Sequence, residues 1–124
     1  MRLKNKVALI TGAGSGMGRA TAMEFLRQGA KVVIADIDKE ALDKAEAMGK
    51  EISPEITGVH ADLTKEEDVK RFIDTAVQKY GTIDVLFNNL GINLAATITE
   101  TTMEQWDRIF AVNVRAMFLT CKYT

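Results

Sequence analysis

The chain has 124 residues, 47% of them hydrophobic and 27% charged, with a formal net charge of −1. That length supports a single hydrophobic core, and the composition excludes a disordered or fibrous chain. Charges of both signs are interspersed along the sequence, which leaves no electrostatic footprint for nucleic acid or for an anionic membrane surface.

Arg2, Lys4 and Lys6 precede only the apolar run Val7 to Ile10, too short for a signal-peptide core or a membrane span, so a cytoplasmic protein is expected. Val7 to Ile10 reads as a buried strand. After it, Gly12, Gly14, Gly16 and Gly18 interrupt the chain before a helical pattern begins, the arrangement of a backbone that must approach phosphate closely. A Walker A loop is excluded because no Gly-Lys pair follows, and G-x-G-x-x-G fails because its third glycine would fall on Met17 or Arg19. T-G-x-x-x-G-x-G does fit, on Thr11, Gly12, Gly16 and Gly18.

The helix that follows has Ala22, Phe25 and Leu26 on its apolar face and Gly29 as its cap. Lys31 to Asp36 is a second apolar strand, and Ala41, Ala45 and Met48 mark a second helix. A third strand lies around Ile56 to His60, introduced by Pro54. "TKEE", Thr64 to Glu67, is a capping box that opens a helix with Val69, Phe72, Ile73, Ala76, Val77 and Tyr80 on one stripe before Gly81. "TIDVLFNN" gives a fourth strand. From about Thr101, again with Glu three residues on, a long helical pattern runs toward the end. The single cysteine, Cys121, cannot form an internal disulfide, which suits a reducing compartment, and reads as a small buried residue rather than a nucleophile.

Apolar strands alternating with helices imply a parallel sheet covered on both faces, an α/β doubly wound, Rossmann-like fold. Right-handed crossovers give the strand order 3-2-1-4, with a ligand site at the carboxyl ends of the strands. There the glycine loop delivers a helix N-terminus to a pyrophosphate, and Asp36, ending the second strand, can hydrogen-bond the adenosine ribose hydroxyls. A 2′-phosphate would meet like charge at Asp36, and position 15 is Ser rather than a basic residue, so NAD is expected over NADP. The structural alternatives are a loop without a ligand and a plain helix cap at Asp36.

"TGAGSGMG", Asp36, "DLT" at Asp62 to Thr64, "NNLG" at Asn88 to Gly91 and "VNV" at Val112 to Val114 together resemble, in order and spacing, the short-chain dehydrogenase/reductases over essentially the whole chain. The resemblance implies cofactor contacts from Gly12, Ser15, Gly16, Met17 and Gly18 in the loop, and from Asp36 and Ile37 beyond the second strand. It also implies them from Asp62, toward the adenine amino group, from the adjacent Leu63, and from Asn89 and Gly91 along the ribose. Asn113 matches the family's catalytic-site asparagine, which holds a water in a proton relay. Leu90 stands where the family usually has Ala, a larger side chain near the ribose. Judged without the family, Asp62 and the Asn88/Asn89 pair read equally well as turn caps.

The same resemblance calls for a Ser and a Tyr-x-x-x-Lys after Asn113, where only Val114 to Thr124 follow. The serines, Ser15 and Ser53, lie elsewhere, and neither Tyr80 nor Tyr123 begins the motif. The expectation is therefore a domain over residues 1–124, the dinucleotide-binding half of a short-chain NAD-dependent oxidoreductase, truncated after the fourth strand and following helix and inactive alone. The alternative is a non-catalytic nucleotide-binding or assembly scaffold. An edge from Ile83 to Asn88 and a last helix apolar on more than one side, with Trp106, Ile109, Phe110, Val112, Val114, Met117, Phe118 and Leu119, call for a homo-oligomer or a second chain supplying the missing half.

Overall fold

The computed structural model describes residues 1–124. In chain order it has β1 (Val7–Thr11), α1 (Gly16–Arg27), β2 (Lys31–Asp36), α2 (Lys39–Lys50), β3 (Ile56–His60), α3 (Glu66–Tyr80) and β4 (Val85–Phe87). A long helix closes the chain as α4 (Met103–Phe110), a π-helical segment (Ala111–Arg115) and α5 (Ala116–Tyr123). The strands form one parallel sheet in the order β3-β2-β1-β4, as the alternation of elements predicts. No helix is long and apolar enough to cross a membrane.

Period-two alternation divides the core between the two faces of the sheet. Leu9, Val33, Ala35 and Val59 point to one side, where Val69, Phe72, Ile73 and Ala76 of α3 cover them together with Ala116 and Leu119 of α5. Ile10, Val32, Ile34 and Ile56 point to the other, under Ala22, Met23 and Leu26 of α1 and Leu42 and Ala45 of α2. Every residue of β1 is buried, which a strand can be only when helices cover both faces. Gly29 and Gly81 follow the ends of α1 and α3 with φ of +86° and +81°, the left-handed turn that ends a helix.

Five local readings are corrected. The fourth strand is three residues long; Asn88 and Asn89 leave the ladder to bond side chains instead. The inward face of α2 is Leu42, Ala45 and Gly49, with Met48 exposed, because the helix is pressed onto β3 at Gly49, where a Cβ would stand 2.4 Å from Ile56 Cδ1. "TKEE" makes no capping box: the Thr64 hydroxyl donates to Asp62 Oδ1 at 2.6 Å, and the N-cap of α3 falls on Lys65. The box of α4 lies one residue later than expected, on Thr102 and Gln105, with Gln105 N donating to Thr102 Oγ1 at 3.1 Å and Thr102 N to Gln105 Oε1 at 2.9 Å. Cys121 is exposed, and its neighbour Thr120 takes the buried position in α5.

Candidate functional site

The carboxyl ends of β2 and β4 meet the glycine loop where it leaves β1. Gly12 and Gly16 take φ of +60° and +56°, a region closed to most side chains, which turns the chain sharply out of β1 into α1. Gly18 answers a different need: a Cβ there would lie 2.4 Å from the Gly12 carbonyl oxygen and 2.6 Å from Asn89 Nδ2. The loop is braced by Ala13 N donating to the Ala35 carbonyl at 3.1 Å and by Asn89 Nδ2 donating to the Gly12 carbonyl at 3.2 Å. The backbone N–H groups of Ser15, Gly16, Met17 and Gly18 donate to no acceptor of the chain, and no side chain caps them. Ser15 and Met17 are exposed, and around Gly16 there is open space. Four free amides at the positive end of a helix, over an unobstructed surface, suit a phosphate or diphosphate.

Asp36 closes β2 beside this loop. Its Oδ2 accepts Gly14 N at 2.8 Å and its Oδ1 accepts Asp38 N at 2.9 Å, so both oxygens are oriented by backbone amides, and each keeps a lone pair for a further donor. Gly14, which the sequence motif leaves unspecified, is required for this approach: a Cβ on it would stand 2.8 Å from Asp36 Oδ2. Ile37, next in the chain, is 55% exposed, a free apolar surface beside the carboxylate. Asp38 caps α2 through Ala41 N at 3.1 Å, so the cap role that the sequence allowed for Asp36 belongs to its neighbour.

Beyond β3, Asp62 Oδ1 accepts both the amide (3.1 Å) and the hydroxyl (2.6 Å) of Thr64, which makes the residue a turn former, while Oδ2 makes no hydrogen bond. Partial burial works against ionisation there. The two bonds from Thr64 and the charges of Lys65 and Arg108 outweigh it and hold the carboxyl below its ordinary value. Leu63 is buried against the core.

At the end of β4 the Thr11 hydroxyl, 1% exposed, accepts the amides of Asn89 and Leu90 at 3.0 and 3.1 Å. Asn88 reaches the last helix, accepting from the Thr120 hydroxyl at 2.7 Å and donating to Cys121 Sγ at 3.4 Å. Leu90 packs against the core cluster under α3. Asn113, in the π-helical segment, grips the backbone of Ile92 at both ends: Oδ1 accepts Ile92 N at 2.7 Å and Nδ2 donates to Ile92 O at 2.9 Å. This clamp sets Gly91 against the helix, so near that a Cβ on Gly91 would be 3.5 Å from Asn113 Oδ1. Thr11, Leu63, Asn88, Leu90, Asn113 and Thr120 share a pocket of about 100 Å³ between the strand ends and the helix.

The structure thus gathers the expected positions of the loop, Asp36, Ile37, Asp62, Leu63, Asn89, Gly91 and Asn113 along one edge of the sheet. Thr120 joins them without having been singled out, and Thr11 and Gly14, read only as parts of the glycine stretch, gain partners in Asn89, Leu90 and Asp36. A hydroxyl at a strand end carries no signature in one sequence, since the amides it accepts lie some 78 positions away.

A family model described as short chain dehydrogenase matches residues 6–124. A 3-oxoacyl-(acyl-carrier-protein) reductase of Thermotoga maritima is 42% identical over 122 residues, 95% of this chain and 48% of its own length. Mitochondrial borneol dehydrogenase of Lavandula x intermedia is 46% identical over 125 residues, covering 98% of this chain and 46% of that protein. A crystal structure of a short-chain dehydrogenase/reductase from Burkholderia xenovorans superposes with a TM-score of 0.92 at 33% identity, over 98% of this chain and 48% of that one. The chain spans about half the length of the curated relatives it matches. A family-model match over residues 6–124, together with a solved structure of the same fold at a TM-score of 0.92, means that the chain belongs to the short-chain dehydrogenase family.

Proposed function

We propose that this chain is the dinucleotide-binding half of an NAD-preferring oxidoreductase of the short-chain type. The observation that carries the reading is the Asp36 carboxylate, held by Gly14 N at 2.8 Å beside the four free amides that open α1. The amides would take the diphosphate, and Asp36 the adenosine ribose hydroxyls. Ile37 would flank the adenine, with the Leu63 backbone nearby and Asp62 Oδ2 free to accept a hydrogen bond from its amino group, and Asn89 and Gly91 would lie along the ribose. A 2′-phosphate about 4 Å from Asp36 would meet roughly 4 kcal/mol of repulsion at an effective dielectric near 20. Even about a third of that, after screening, is a tenfold preference for NAD(H).

When bound, the nicotinamide supplies or accepts the hydride exchanged with an alcohol or carbonyl substrate. This chain's residues position the dinucleotide, and Asn113 holds the Ile92 segment at the strand ends. The group that transfers the hydroxyl proton, the family's Ser and Tyr-x-x-x-Lys, would come from outside these 124 residues. The reading supposes a cytoplasmic setting, which the free thiol of Cys121 suits. It also supposes a partner surface. Trp106, Phe110 and Phe118 stand 54%, 46% and 59% exposed on the last helix, and we assign this face to self-association or to a chain completing the enzyme.

Calorimetric titration with NADH and NADPH, repeated on Asp36→Ala, tests the assignment. NADH should bind the unsubstituted chain more tightly, and the substitution should erase the difference. Binding of neither nucleotide would favour a non-catalytic assembly scaffold.

A further inference from the structure

The turn after β2 is held from the edge strand. His60 ends β3 and pairs in register with Asp36, and its Nε2 lies 2.8 Å from the carbonyl oxygen of Ile37. The His60 backbone is itself fixed, because Arg71 Nη2 reaches from α3 to donate to its carbonyl at 2.7 Å, and the next amide, Ala61 N, donates to the Asp36 carbonyl at 3.1 Å. A carbonyl oxygen only accepts, so Nε2 carries a proton in this contact; the neutral Nε2–H tautomer and the imidazolium both satisfy it. The ring is exposed and belongs to neither apolar cluster, so packing does not account for its placement.

The remaining hydrogen bonds of the turn show what that contact governs. Asp36 Oδ1 is tied to Asp38 N within the turn, while Oδ2 crosses to Gly14 N in the glycine loop. Asp38 in turn caps α2. If the Ile37 peptide rotates, Asp38 N moves with it, and the carboxylate must either follow or lose one of its two orienting amides. The Ile37 carbonyl is the peptide oxygen of that swing, and His60 is the group that holds it.

We propose that His60 is a specificity-determining positioning residue: its Nε2–H anchors the Ile37 carbonyl, and so fixes the direction in which Asp36 presents its carboxylate to the sugar of a bound dinucleotide. This rests on the dinucleotide reading above, but the anchoring step can be measured without ligand.

The test compares the chain with His60→Gln, His60→Ala and His60→Glu. Gln carries an amide donor at nearly the same reach, whereas Ala has none and an ionised Glu places an acceptor against an acceptor. In the nucleotide-free chain, amide hydrogen exchange at Asp38 should quicken by about fivefold in the Ala and Glu variants and by less than about twofold in Gln, the effect of one ordinary hydrogen bond. In titrations with NADH and NADPH, the affinity ratio should fall by about fivefold in Ala and hold within about twofold in Gln, while Glu, which adds a charge of its own beside Asp36, is read by exchange alone. Equal exchange at Asp38 in all four proteins overturns the anchor, as does a Gln variant that behaves like Ala. Altered exchange with an unchanged NADH/NADPH ratio overturns the link to specificity. Changed exchange in a chain that binds neither nucleotide would instead sink the dinucleotide reading, and the specificity role with it, while leaving the anchor intact.

Discussion

Gly18→Ala puts the packing of the glycine loop to a quantitative test. The added Cβ would sit 2.4 Å from the Gly12 carbonyl oxygen, 2.6 Å from Asn89 Nδ2 and 3.0 Å from Ala13 Cα. Two of these three are backbone atoms, which cannot swing aside as a side-chain end can, so α1 must shift away from the loop. Overpacking of this kind costs about 1–3 kcal/mol. The shift also opens the 3.2 Å bond from Asn89 Nδ2 to the Gly12 carbonyl, worth about 1 kcal/mol. Against this, alanine is a better helix former than glycine by about 1 kcal/mol, leaving a net loss of roughly 1–3 kcal/mol out of a total stability of about 5–15 kcal/mol. Urea unfolding followed by circular dichroism reads the loss directly. Asn89→Ala should cost about 1 kcal/mol alone, and combined with Gly18→Ala it should cost less than the sum, because it removes one of the atoms struck and the same bond cannot be lost twice. A Gly18→Ala chain within about 0.5 kcal/mol of the unsubstituted one would refute the reasoning, as would strict additivity of the pair.

Thr11→Val keeps the shape of the side chain but leaves the amides of Asn89 and Leu90 without their acceptor; it should lower stability by about 2–4 kcal/mol in urea unfolding, and a near-neutral result would mean that another acceptor replaces the hydroxyl. The Asp62 carboxyl is depressed below its ordinary 3.8, so its ionised form favours the fold: the contribution is complete above that value and fades as pH falls through the lower folded-state pKa. The difference in Tm between the unsubstituted chain and Asp62→Asn should accordingly stay constant from about pH 5 to 8 and shrink below about pH 4; a difference that changes near neutrality would point to another group. Sedimentation velocity should show self-association at micromolar concentration that Phe110→Asp with Phe118→Asp abolishes, since a charge on that face must be desolvated to bury it. A clean monomer at every concentration would remove the last helix as a contact between copies.

Periodicity alone determined the class of fold. Apolar runs of strand length alternating with helical stripes allow only a sheet covered on both faces, and the residues that bury themselves, Leu9 and Ile10 for instance, do so on alternate sides as the pleat demands. The glycine loop and Asp36 were legible for the same reason: they are local, and each has a shape or charge that the backbone at its own position requires. What the sequence left undetermined depends on contacts between distant segments. The phase of α2 follows from Gly49 meeting Ile56, and the cap of α3 from Thr64 turning back to Asp62. Thr11 gains its role only when β4 delivers two amides to it, and Asn113 only when the π-helical segment sets it against Ile92. Local propensity selects an element within a few residues; which of its side chains become partners is decided by packing, because a hydrogen bond needs its atoms within a few tenths of an ångström, and only the assembled sheet and helices fix positions so closely.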